Sequence, residues 1–192
     1  GMTDATNHLP PQSLEAEEAI LGAMLMSPAA IEKAEQCGLQ VEHFYRDSHR
    51  IVFAAIRDLA ERSAEVDGTT VTMHLKAKRM LTAAGGGASV LALADKMPAV
   101  ANASSYAKEV VEQAVLRALV TTGHSIAALG YEHPDEPAAL VAKAGQMVDE
   151  LTEGGSVAAR VGITTAADEL QPFVDAMEER WKLGAEFSGL TT

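Results

Sequence analysis

Cysteine, aromatic side chains and basic residues are all scarce in this chain, and each scarcity excludes something. The single cysteine, Cys37, cannot form an internal disulfide, so a cytoplasmic setting is expected. No patterned base or cation accompanies it, so it is read as a packing residue rather than a nucleophile. Aromatics make up 4% of the residues while apolar types reach 47%. A core must then be built mainly from Ala, Val, Leu, Ile and Met, in segments whose Ala, Leu and Met content favours helix. No run of eighteen apolar residues occurs, so no membrane span is expected. The opening Gly1-Met2-Thr3-Asp4 lacks the basic and apolar regions of a signal peptide, and Gly1 reads as a remnant of tag removal.

Positive charge is the other shortage. Fifteen basic residues face 27 acidic ones, for a net charge of −12. Affinity for DNA draws on Lys and Arg neutralising phosphates, so direct DNA binding is not expected. The cluster Lys76-Ala77-Lys78-Arg79 reads as a solvated helix face. Protein partners fit this balance better.

What the chain does contain is helical signal. Residues 1–8 read as a disordered tail, and Leu9-Pro10-Pro11-Gln12 as an extended lead-in, because proline disfavours helix in the residue before it. Ser13 is expected to cap a helix from Leu14 to Met26, whose stripe of Leu14, Leu21, Met24 and Leu25 is interrupted by Glu17 and Glu18. Ser27-Pro28 starts a second helix, which Gly38 ends. Asp47 or Ser48 is expected to cap a third, with Val52, Ala55, Ile56 and Leu59 inward. Residues 66–69 read as a turn before a fourth helix, Thr70 to Arg79. The triplet Gly85–Gly87 marks a loop, followed by a short helix from Ala88 to Lys96.

Asn102 is expected to cap the longest helix, which is apolar on more than one side and therefore wants more than one neighbour. After the turn His133-Pro134-Asp135 a further helix completes a hairpin at about 103–152. Residues 154–164, with Gly154-Gly155-Ser156, read as a flexible linker. A final amphipathic helix at 165–183 places Leu170, Phe173, Val174, Met177 and Trp181 on one face. An isolated helix of this length is marginal in water, so it either folds back on its own domain or docks on a partner. The fold class expected is all-α: a compact helical domain, residues 9–153, ending in a helical hairpin, then the linker and the linker helix.

Chemistry is hard to find. The glycine triplet is followed by Ala88-Ser89 with no lysine in place for a phosphate loop. The six histidines form no HExxH pair and no cluster with cysteine, so no metal site is expected. His49, near the apolar stripe of its helix, reads as a satisfied, partly buried side chain. The acidic residues are spread along helix faces, and no nucleophile elbow occurs. No catalytic or cofactor-binding residue is therefore assigned.

One ordered set of local signals goes further. It runs from Pro10-Pro11-Gln12-Ser13-Leu14-Glu15-Ala16-Glu17 through Ile20-Leu21-Gly22 to Phe44-Tyr45 with His49-Arg50 and Ile56. Val66-Asp67, Leu81, Met97-Pro98, Asn102, Tyr106-Ala107 and Leu116-Arg117 follow. In order and spacing this resembles the N-terminal domain of bacterial and phage DnaB-type replicative DNA helicases. Gly68 stands where the family often has proline, and the glycine run is longer than usual.

The resemblance implies a truncated helicase whose RecA-like motor would begin at 184–192, near Gly189-Leu190-Thr191-Thr192. It implies dimerisation through the hairpin, for which Val115, Leu119, Ile126, Leu129, Leu140, Met147 and Leu151 are the expected contacts. Three dimers would form the collar of a hexamer that engages primase and, in some organisms, a helicase loader. The linker helix, through Leu170, Phe173, Val174, Met177 and Trp181, would pack on the motor domain of a neighbouring subunit. ATP and magnesium would belong to that motor, leaving this chain without cofactor or enzymatic activity. The alternative is a free-standing adaptor or loader-like protein with the same fold and no motor.

Overall fold

The computed structural model describes residues 9–96, 98–132 and 136–153. The expected tail at 1–8, the linker at 154–164, the linker helix at 165–183 and the motor lead-in at 184–192 lie outside them. The described residues are helical, with no strand among them. The helices are α1 (Leu14–Met26), α2 (Pro28–Gln36), α3 (Asp47–Glu61), α4 (Gly68–Ala77), α5 (Gly87–Asp95), α6 (Ala103–Glu132) and α7 (Pro137–Glu153). Short 3-10 turns at Val41–His43 and Val100–Asn102 lead toward α3 and α6.

Local chemistry sets most of the boundaries. The Ser27 hydroxyl accepts from the Ala29 N–H at 3.3 Å, with Pro28 opening α2. Gly38 then takes a φ of 69°, and the Leu39 N–H closes on the Ala34 carbonyl at 3.0 Å, ending the helix in a left-handed turn. Some starts differ from expectation, by one residue at α5, which begins at Gly87, and by more at α4. Asp67 accepts from the Thr70 N–H at 2.7 Å while its own N–H donates to Thr70 Oγ1 at 2.9 Å. This reciprocal cap starts α4 at Gly68, inside the expected turn. α3 begins at Asp47, so Arg46 holds the cap position. Ser13 occupies the cap position of α1 without a side-chain hydrogen bond to the backbone.

α1 is the centre of the bundle and packs against α2, α3, α5 and α6. A helix with neighbours on every side is buried all round, which is why no one-sided stripe can be read from it. Ala16, Glu17 and every residue from Ile20 to Leu25 are buried. Around it lie Phe44 and Phe53, with ring centroids 4.9 Å apart, and Ile56, Val71, Leu75 and Val90. At Gly22 the approach is so close that a Cβ would sit 2.3 Å from the Leu93 carbonyl oxygen of α5. α6 enters this core through Ala103, Ala107, Val110 and Val111, and its last buried residue is Ala114. Beyond it α6 pairs with α7 as a hairpin.

Candidate protein-interaction surface

Two polar residues that an apolar pattern does not reveal, Glu17 and Arg117, tie distant parts of the chain together. Glu17 on α1 is buried, yet its carboxylate is fully engaged. Oε1 accepts from the Tyr45 N–H at 2.5 Å; Oε2 accepts from the Arg46 N–H at 3.4 Å and from His49 Nδ1 at 2.7 Å. His49 is buried as well, and its Nδ1 lies within hydrogen-bond distance of the carboxylate. A buried charge costs little only when its acceptor capacity is filled, and here donors converge from the loop before α3 and from α3 itself.

Arg117, on the first turn of α6 past the core, reaches back. Nη1 donates to the Pro11 carbonyl at 2.8 Å and Nη2 to the His43 carbonyl at 2.5 Å. Its guanidinium lies over the Tyr45 ring, 5.6 Å from the centroid. Burial pulls its pKa below the usual arginine value, with the charge of Glu17 acting the other way. Asp58 holds α3 to α4. It accepts from Lys78 Nζ at 2.5 Å and lies 2.8 Å from His74 Nε2 and 3.0 Å from Arg62. The Lys78 hydrogen bond leads in lowering its pKa from 3.8 to about 2.

Beyond this anchor the hairpin shows its apolar side chains in two ways. Val115, Ile126 and Leu129 on α6, and Leu140, Met147 and Leu151 on α7, are half-buried. They follow helical spacings on two helices that pack against each other. Leu119, the remaining expected contact, is 58% exposed and lies with the outward residues.

That outward set includes residues the sequence reading did not select. Leu116, Val120 and Tyr131 on α6, with Val141 and Val148 on α7, are all exposed, Val141 by 73% and Tyr131 by 86%. The signal was available: Leu116, Val120, Gly123, Ala127 and Tyr131 are spaced four, three, four and four apart, a second helical stripe on α6. Gly123, Gly130 and Gly145 also lie within the hairpin helices, and a Cβ added at any of them would meet nothing within 4 Å. The linker-helix residues Leu170, Phe173, Val174, Met177 and Trp181 lie outside the described residues.

Among the described residues, no group of three or more His, Cys, Asp or Glu is placed to hold a metal ion. No described helix is long and apolar enough to cross a membrane.

A helical body that projects a hairpin with outward apolar side chains has the architecture of a protein-interaction module. Comparison with known proteins narrows this class. Residues 9–112 match the family model described as the DnaB-like helicase N terminal domain, and the chain belongs to that family. It is 40% identical over 148 residues to the replicative DNA helicase DnaB of Geobacillus stearothermophilus, covering 77% of this chain and 32% of that protein. It is 34% identical over 192 residues to the replicative DNA helicase DnaC of Bacillus subtilis (strain 168), covering 100% of this chain and 41% of that protein. The crystal structure of the N-terminal domain of DnaB helicase from Mycobacterium tuberculosis superposes with a TM-score of 0.69 at 36% identity, covering 73% of this chain and 99% of that one. The chain thus spans well under half the length of these two curated relatives.

Proposed function

We propose that this chain is the assembly and partner-binding part of an ATP-dependent replicative DNA helicase. The observation that carries the proposal is the hairpin: beyond Ala114 none of the described side chains is buried, although the segment is rich in Leu, Val, Ile and Met. Several large apolar side chains exposed on one hairpin suggest a protein contact. Its outward residues Leu116, Leu119, Val141 and Val148 meet a second copy, and the dimers build the collar of a hexamer. The collar receives primase or a helicase loader.

Residues 154–164 serve as the tether, and residues 165–183 dock on the motor domain of a neighbouring subunit. ATP and magnesium act in the motor, and DNA is gripped there. That division of labour agrees with a net charge of −12 on this part.

The test is sedimentation equilibrium of the 192-residue chain beside Leu119→Glu. The native chain is expected to self-associate, and the variant to be monomeric with its helical circular dichroism unchanged. A native chain that stays monomeric at high micromolar concentration overturns the proposal. Loss of helicity in the variant would show that Leu119 acts as core, against its exposure.

A further inference from the structure

Where the N-terminal lead-in passes the base of α6, the surface opens into a cleft of about 580 Å³. Leu9, Pro10, Pro11 and Val120 make part of its lining apolar. Arg50, Arg117 and His124 line it as well, and among the described residues no carboxylate does. In a chain with 27 acidic residues against 15 basic ones, such a local excess of cations runs against the composition.

The two arginines are held in place without being neutralised in the same way. Arg50 donates from Nε to the Phe44 carbonyl at 2.7 Å and pairs with Asp47 at 3.0 Å. Arg117 spends two donors on the carbonyls of Pro11 and His43, and among the described residues no carboxylate is in salt-bridge contact with it. A guanidinium has five N–H donors in a rigid fork, so Arg117 keeps donors in hand. The carboxylate whose field it feels most, Glu17, is already occupied by Tyr45, Arg46 and His49. Held over the Tyr45 ring, Arg117 is a preorganised cation awaiting an anion. The lead-in that lines the cleft contains Pro10 and Pro11, which have no N–H to donate. A ligand there cannot be held by a backbone ladder along those residues and must be read through its side chains.

We propose that this cleft receives an acidic peptide segment of another protein, its carboxylate set on Arg117 and Arg50 and a neighbouring aliphatic side chain set against Leu9, Pro10 and Val120. His124 and Thr121 form the rim. The cleft lies at the foot of the hairpin and reads a different chemistry from the apolar hairpin face, so one chain can engage a second copy and this partner separately.

The experiment is fluorescence anisotropy of the full chain with two labelled peptides, Gly-Leu-Glu-Glu-Leu-Gly and its Gln-Gln counterpart. The acidic peptide is expected to bind about tenfold more tightly than its counterpart and to weaken as salt rises. Thr121→Glu and His124→Glu, both at exposed positions, are expected to lower its affinity about tenfold with circular dichroism unchanged. Equal affinity for the two peptides, no binding of either at millimolar concentration, or a Thr121→Glu variant that binds as well as the native chain overturns the proposal. Inorganic phosphate competing as strongly as the peptide would make this a simple anion site and overturn it too. Sedimentation of the same samples separates the cleft from the hairpin contact: a variant that loses the peptide but keeps its association state supports a separate partner. Loss of both together would place the cleft inside the contact between copies and sink the proposal.

Discussion

Arg117 on α6 donates a hydrogen bond of 2.8 Å to the backbone carbonyl of Pro11, a residue 106 positions earlier in the chain. With its second bond to His43, it fastens the root of the hairpin to the lead-in and to the turn before α3. The contact explains how a helix that leaves the core at Ala114 is still held at a defined angle three residues later.

Replacing Arg117 with Lys keeps the charge but loses the fork that spans both carbonyls. The expected cost is about 1–3 kcal/mol, from one partly buried acceptor left without its donor. Urea denaturation followed by circular dichroism measures it. A variant as stable as the native chain would show that the two carbonyls are satisfied without the guanidinium.

Glu17→Ala removes the acceptor for the Tyr45 and Arg46 N–H groups and for His49 at one stroke. Leaving these donors without their acceptor is expected to cost about 3–5 kcal/mol, at about 1–3 kcal/mol for each unsatisfied group. Glu15→Ala, at an exposed position two residues away, is expected to fall within about 0.5 kcal/mol of the native chain. Similar midpoints for the two variants would refute the role given to Glu17.

Two glycines should respond in opposite directions to the same change. Gly22→Ala puts a methyl 2.3 Å from the Leu93 carbonyl oxygen, which is backbone and cannot rotate away. A loss of about 1–3 kcal/mol is expected as α1 and α5 are pushed apart. Gly123→Ala meets nothing within 4 Å in the single chain, so the helix should gain about 1 kcal/mol. If Gly123 lies where copies approach, the same variant will associate more weakly. Thermal melts at low concentration and sedimentation at high concentration read the two effects independently.

Acid should loosen the α3–α4 contact late. The pKa of Asp58 is depressed from 3.8 to about 2 by Lys78 and Arg62. A depressed carboxylate contributes stability that is fully present above its unfolded pKa and is lost as pH falls through the folded value. The contribution should therefore persist at pH 5 and disappear between about pH 4 and pH 2. Comparing Asp58→Asn with the native chain checks this: the stability difference seen at pH 6 should shrink over that window. A difference that stays constant down to pH 2 would contradict the sign.

How much of this was legible beforehand varies with the range of the interaction. The helices of the core were readable because Pro28, Gly38 and the periodic apolar residues act within a few positions of themselves. The start of α4 was misplaced by two residues because Asp67 and Thr70 cap each other, and a turn signal and a reciprocal cap share the same residue types. Glu17 looked like a flaw in a stripe. Its donors lie 28, 29 and 32 positions away, and nothing local marks them. In the hairpin, the apolar residues were found, but how far each is exposed was not. Leu119 sits four residues from Val115, yet it is exposed while Val115 is half-buried.

The sequence by itself determined an acidic, all-helical chain with a long hairpin and a family resemblance that the comparisons bear out. Those properties follow from composition, period and short-range stereochemistry, which a linear string records directly. Only the tertiary structure decided that Glu17 is buried and satisfied, that Arg117 anchors the hairpin while facing a cleft, and which apolar side chains face outward. Each depends on groups brought together from distant parts of the chain, and the packing that brings them together has no local signature.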